Sequence, residues 1–177
     1  SLFSAPIAAA VRRGVALARG AGARISFDPN IRKELLGLPE VAEVLHEVLE
    51  QCDLLLPSEA DLAHLFPDLD EDAAARRLLA AGRELVVLKK GKLGCVLHAP
   101  GKRMALPAYP VDEVDPTGAG DCFGGTFVAA LCRGFPPEKA LRLANAAGAL
   151  AVGRRGPMEG NRPLPEIEAF LERGRRA

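Results

Sequence analysis

The chain has 177 residues, 49% of them hydrophobic, enough to bury a core and fold as one domain rather than stay disordered. Its 23 basic and 23 acidic residues cancel, so no global charge draws it to nucleic acid or to an anionic bilayer. Recognition must then be local, which argues for a small-molecule ligand. Cys52, Cys95, Cys122 and Cys132 form no C-x-x-C pair, and His46, His64 and His98 lie apart from them, so zinc spacing is absent and reduced thiols point to the cytosol. Ser1 to Pro6 lacks the basic start of an export signal, and no apolar run approaches the roughly 18 residues of a membrane span.

In chain order, Ile7, Val11, Val15 and Ala18 recur on one face and predict a helix over residues 4–22, capped by Ser4, entered at Pro6 and stopped by Gly20 and Gly22. Residues 24–27 read as a strand that ends at Asp28-Pro29-Asn30. A helix follows from Pro39, with Val41, Val44, Leu45, Val48 and Leu49 on its apolar stripe and His46 off it, in solvent. Leu54-Leu55-Leu56 is a continuous apolar run, as for a strand buried on both faces. Helices over 58–66 and 71–82 precede a further apolar strand at 85–88. The alternation predicts an α/β fold, a three-layer α/β/α sandwich around a mostly parallel central sheet. Segments 95–98 and 103–108, separated by Ala99-Pro100-Gly101-Lys102, predict an antiparallel hairpin at the sheet edge. Helices near 119–133, 137–153 and 164–174 finish the chain. The first helix has no strand feeding it, so an N-terminal part is expected to be missing.

The densest chemistry lies in Asp115-Pro116-Thr117-Gly118-Ala119-Gly120-Asp121. A P-loop would need Lys and a hydroxyl residue after its second glycine, but Thr126 and Phe127 follow Gly125. A dinucleotide fingerprint would need a glycine where Phe123 stands. What remains is a bare helix start: Gly118, Ala119 and Gly120 leave their N–H groups open to an anion, where the helix dipole also favours negative charge. Asp121 falls in the first turn, where that field favours a carboxylate able to accept a hydroxyl proton. Phosphoryl transfer asks for this pair, a cradle for charge and an acid that orients the attacking hydroxyl. The alternative is a tight glycine turn with Asp121 as a plain helix cap.

With Phe123, Gly124 and Gly125 following, this stretch resembles the C-terminal signature of the ribokinase-like (PfkB) carbohydrate kinases. The resemblance implies a ribokinase-like fold, ATP as phosphoryl donor with Mg2+ bridging its phosphates, Asp121 as catalytic base, and the backbone of Gly118, Ala119 and Gly120 as anion hole. It covers nearly the whole chain, which corresponds to the C-terminal ATP-binding and catalytic part. The glycine-rich first signature, the lid sheet through which members often pair as homodimers, and most sugar contacts belong to the expected missing part.

Other segments carry two readings each. The turn Lys89-Lys90-Gly91-Lys92-Leu93-Gly94 is explicable as a tight turn, and it also resembles the family's G-x-x-G turn, which makes Lys89, Gly91 and Gly94 nucleotide contacts. "LRLANAAGALA", residues 141–151, has few large side chains on one face, which suits close helix packing or a flat ring. The resemblance places Asn145 and the small residues after it, Gly148 among them, near adenine. Ser58-Glu59-Ala60-Asp61 is a capping box in its own right, with Ser58 as N-cap and Asp61 at the third helical position. Many members read N-x-x-E there and organise magnesium, which makes Asp61 a metal candidate although both residue types depart from that pattern. Asp28-Pro29-Asn30-Ile31-Arg32 ends a predicted strand of the parallel sheet, where ligands bind, and Arg32 offers a planar fork to a carboxylate. It resembles the D-x-N-x-R of kinases acting on 2-keto-3-deoxygluconate and related sugars, so Asp28 and Arg32 are substrate-binding candidates, with fructose, ribose and 5-dehydro-2-deoxygluconate as the alternative substrates within the family. Cys122, beside Asp121, fits a small filler better than an activated thiol.

Overall fold

A computed structural model of the chain describes residues 5–32 and 39–174; Ser4, the expected first cap, lies outside the described residues. Helix α1 (Ala5–Gly20) leads to β1 (Ser26–Phe27), α2 (Pro39–Gln51), β2 (Leu54–Leu55), α3 (Glu59–Leu65), α4 (Glu71–Ala80) and β3 (Leu85–Lys89). A short 3-10 turn (Gly91–Leu93), β4 (Cys95–Ala99), β5 (Lys102–Leu106), α5 (Ala119–Cys132), α6 (Pro137–Val152) and α7 (Leu164–Gly174) complete the order. The strands form one sheet in the order β1-β2-β3-β4-β5. It is parallel from β1 to β3, with Ser26 opposite Leu54 and Leu54 opposite Leu85. Pro100-Gly101 joins β4 to β5, and a two-residue link between adjacent strands is possible only when they run antiparallel. The mixed α/β architecture expected from the sequence is therefore present.

Two compact units carry these elements: Ser1–Leu88 with His98–Arg103, and Lys89–Leu97 with Met104–Ala177. In the first, Leu54, Leu55 and Leu56 and the run Leu85 to Leu88 are all at most 6% exposed, as the uninterrupted apolar runs require of strands covered on both faces. Each such leucine contributes about 1.5–3 kcal/mol by leaving water. Ala8, Val44 and Val48 pack with Val11, Val15 and Phe27, which joins α1 to α2. The α2 stripe read from spacing faces this core, whereas on α1 Ile7 is 43% exposed and Ala8, one position on, takes its place; His46 is exposed as expected. Ser58 caps α3 and Asp70 caps α4, accepting from the N–H of Ala73 at 2.7 Å. The same Schellman closure ends α1, α4 and α5: Ala23 N–H to Ala18 O, Arg83 N–H to Leu78 O and Phe135 N–H to Ala130 O.

In the second unit α5 lies along α6, with Phe123 and Phe127 buried on one helix and Leu141, Leu143, Ala144 and Ala147 on the other. Strand β5 is shorter than the predicted 103–108 because Pro107 has no N–H for a ladder. Residues 107–113 then run as coil toward α5.

Candidate active site

The head of α5 is built from backbone. Gly118 is its N-cap, in the left-handed region at φ 78° with no side-chain cap. A methyl group on its Cα would stand 2.1 Å from the Pro157 carbonyl oxygen, so both its conformation and its neighbour demand glycine. The Ala119 N–H turns back to Pro116 O at 3.2 Å, and the first helical bond runs from Cys122 N–H to Gly118 O at 2.8 Å. The N–H groups of Gly120 and Asp121 precede that bond, at the positive end of the helix dipole.

Asp115 fixes the loop that leads into this head. Its Oδ1 accepts the Thr117 N–H and its Oδ2 the Gly156 N–H, both at 2.9 Å. The Thr117 side chain and these backbone donors hold its carboxyl down at about 2. The loop is thereby fastened to the segment around Gly156, which lies next to the Pro157 that backs Gly118.

A cavity of about 900 Å3 opens beside α5, large enough for a nucleotide. Lys89, Gly91, Gly94, Ala119, Gly120, Asn145 and Gly148 line it, so these seven candidates, drawn from three separate stretches of sequence, come together. The Lys89 ammonium stands 3.6 Å from where a methyl on Gly120 would lie, which brings a cation to the open helix head. Gly94, at φ 99°, has Leu106 O 2.0 Å from the site of an added methyl and gives close passage to the chain after β5. At Gly148 an added methyl would meet only ordinary contacts, 3.6 Å from Ala119 O and from Phe123 Cβ. Close packing of α5 on α6 therefore does not by itself require glycine there. Asp121 is exposed, one residue beyond the lining Gly120. Its carboxylate is not packed into the core.

Several lining residues were not singled out from the sequence. Ala108 to Glu113, the coil after β5, forms a wall of the cavity, and Lys92 pairs with Glu113 at 3.4 Å. Two prolines in a short coil between an edge strand and a glycine turn were the available sign that an ordered loop stands there.

Asp28, Arg32 and Asp61 belong to the first unit. Arg32 is exposed and Asp28 half-buried, with Asn30 at φ 42° between them. Asp61 is 3% exposed, and its Oδ1 accepts the Ile31 N–H at 2.7 Å while Oδ2 accepts both the N–H and the hydroxyl of Ser58 at 2.7 Å. Its oxygens thus hold the turn after β1 to the head of α3. Among the described residues no group of three His, Cys, Asp or Glu side chains is placed to hold a metal. Burial pushes the Cys122 thiol up, and its Sγ faces Ala147 O at 3.6 Å, the surroundings of a filler. No helix among the described residues is long and apolar enough to cross a membrane.

A family profile described as pfkB family carbohydrate kinase matches residues 2–163. The chain belongs to that family. Fructokinase-1 of Oryza sativa subsp. japonica is 33% identical over 97% of the chain and 56% of its own length. The 2-dehydro-3-deoxygluconokinase of Thermoproteus tenax is 35% identical over 90% of the chain and 50% of its own length. A crystal structure of a candidate ribokinase II from E. coli, in complex with ATP and Mg2+, is 47% identical with a TM-score of 0.95 over 98% of the chain and 56% of its own. The pfkB chain thus has the ribokinase-like fold expected from its sequence and spans about half the length of the relatives it matches.

Proposed function

We propose that this chain is the nucleotide-binding and catalytic part of an ATP-dependent kinase that phosphorylates a hydroxyl of a sugar acid, 2-keto-3-deoxygluconate being the substrate its residues suit best. The observation that carries the reading is the open head of α5, with Lys89 beside Gly120 and exposed Asp121 next in sequence. In this reading Asp121 accepts the proton of the substrate hydroxyl as its oxygen bonds to the γ-phosphorus and the bond to ADP breaks. The Gly118 to Gly120 backbone and the Lys89 ammonium take up charge on the transferring oxygens. Mg2+, when bound, supplies further neutralisation of the nucleotide phosphates. Asp61 is less suited to hold it, since its oxygens already accept three hydrogen bonds.

The sugar-acid assignment rests on Asp28-Pro29-Asn30-Ile31-Arg32 and is supported by the Thermoproteus relative. Arg32 is proposed to bind the substrate carboxylate through its planar fork. The free thiols fit a reducing cytosol. ADP release followed over sugar acids and neutral sugars tests the reading: a sugar acid should give the highest kcat/KM, and Arg32→Ala should raise KM for it by about 10–100-fold, the range of a lost charge-assisted pair. An equal rise for neutral sugars would remove the sugar-acid assignment. A second reading, nucleotide binding without sugar-dependent turnover, rests on the cavity alone, whose lining includes Lys89, Gly120 and Asn145 and neither Asp28 nor Arg32. Calorimetry with ADP alongside the turnover assay, on this chain and on one of full family length, separates the two.

A further inference from the structure

Asn145 lies on α6, is 7% exposed, and lines the cavity. Its Nδ2 donates to the Pro107 carbonyl at 2.8 Å. Only the nitrogen of an amide can donate to a carbonyl, so the side chain has one orientation here. Pro107 opens the coil whose next six residues, Ala108 to Glu113, form a wall of the cavity, and that coil has no strand partner of its own. Its far end is fastened where the Val114 and Asp115 N–H groups reach Val152 O at 2.8 and 3.0 Å. Tyr109 is held edge-on by Phe170 at 5.4 Å. At the near end, Gly94 lets the backbone of residues 106–108 pass, and the Asn145 amide holds it there by a polar bond.

We infer that Asn145 is a positioning residue, a latch that fixes the 107–113 strap as a wall of the nucleotide cavity and so acts on nucleotide affinity through the strap rather than by touching the base. The inference rests on the nucleotide reading above for its ligand, though not for the latch itself. An alanine at 145 removes the donor. An aspartate keeps the shape and an acceptor oxygen but sets a carboxylate against the Pro107 carbonyl, so it breaks the latch while preserving any direct acceptor contact to a base.

Hydrogen exchange of the chain without nucleotide, with circular dichroism as the check on folding, and calorimetric titration with ADP make the test. Both Asn145→Ala and Asn145→Asp should speed amide exchange of residues 108–113 and weaken ADP binding about three- to tenfold, the range of one neutral hydrogen bond. Unchanged strap exchange in both variants overturns the latch. So does an Asn145→Asp variant that binds ADP like the parent while Asn145→Ala does not, since that marks a direct contact. If the parent binds no ADP, the nucleotide reading fails and strap exchange still decides the latch. Should both variants be unfolded, the parent's Asn145 side-chain amide decides by NMR: one slowly exchanging proton supports the bond to Pro107, and two rapidly exchanging protons refute it.

Discussion

Helices α3 and α5 begin with the same spacing, an N-cap residue followed three positions later by an aspartate, and the two heads have opposite chemistry. At α3 the cap is Ser58, whose hydroxyl accepts the Asp61 N–H at 3.2 Å, and Asp61 returns to Ser58 and reaches across to Ile31. Its carboxylate is buried and every oxygen is engaged. At α5 the cap is Gly118, which has no side chain to offer, and Asp121 stands exposed beside open N–H groups. The lesson is that the N-cap residue decides what the third-position acid does. A hydroxyl there draws the acid into a structural clasp. A glycine leaves both the acid and the backbone donors available to a ligand.

The contrast is sharpest under removal of the two acids. Asp121→Asn keeps the volume and the helix start, so thermal stability should hold within about 0.5 kcal/mol of the parent while kcat for sugar-dependent ADP release falls by about 10^2–10^4-fold, the span of general-base catalysis. Turnover that survived this change would assign the proton to another group and leave the α5 head as a nucleotide cradle alone.

Gly118→Ala tests whether the open head depends on its cap. Forcing an L-residue into the left-handed region costs about 1–2 kcal/mol, and the methyl would collide with the Pro157 carbonyl. A total destabilisation of about 2–4 kcal/mol is expected once that overpacking is included, read as a lower urea midpoint. A variant as stable as the parent would mean that the loop backed by Pro157 gives way freely, and the rigid cradle would be lost from the account.

Asp61→Ala should behave in the reverse sense to Asp121→Asn. The N–H groups of Ile31 and Ser58 lose their acceptor in a buried setting, for a destabilisation of about 1–3 kcal/mol. For a chain of this size that is a fall in Tm of roughly 2–4 °C per kcal/mol. If Tm were unchanged and the Mg2+ dependence of turnover shifted instead, Asp61 would be a metal-organising group and the two heads would be more alike than their geometry indicates.

These two heads also mark what was legible in the sequence. The capping box at Ser58 and the bare turn at Gly118 are local patterns, and local chemistry suffices to form both. The same holds for the long helices and the uninterrupted leucine and valine runs, which appear close to their expected bounds. Contacts between distant residues were not legible. The reach of Asp61 to Ile31, of Asp115 to Gly156 and of Asn145 to Pro107 each spans 30 or more positions, and no periodicity in the sequence encodes such a pairing. The coil 107–113 was equally silent, because a strap held by side chains from elsewhere has no repeat of its own.

The smallest expected effect concerns how the α5 head is held, and it depends on pH. Asp115 has a folded value of about 2 against an ordinary 3.8, lowered by its bonds to Thr117 and Gly156. A carboxylate whose pKa is depressed by folding contributes stability that is complete above the unfolded value and disappears as pH falls through the folded one. Asp115→Asn should therefore lower the urea midpoint at pH 7, and the gap between parent and variant should narrow from about pH 4 down to about pH 2. Asp61 meets buried donors at the other head, whereas Asp115 is only half-buried, so water screens much of what its charge contributes. A gap that stayed constant across that range would mean that shape, rather than charge, fastens the loop, and that the α5 head is kept open by Gly118 and Pro157 without help from an ionised Asp115.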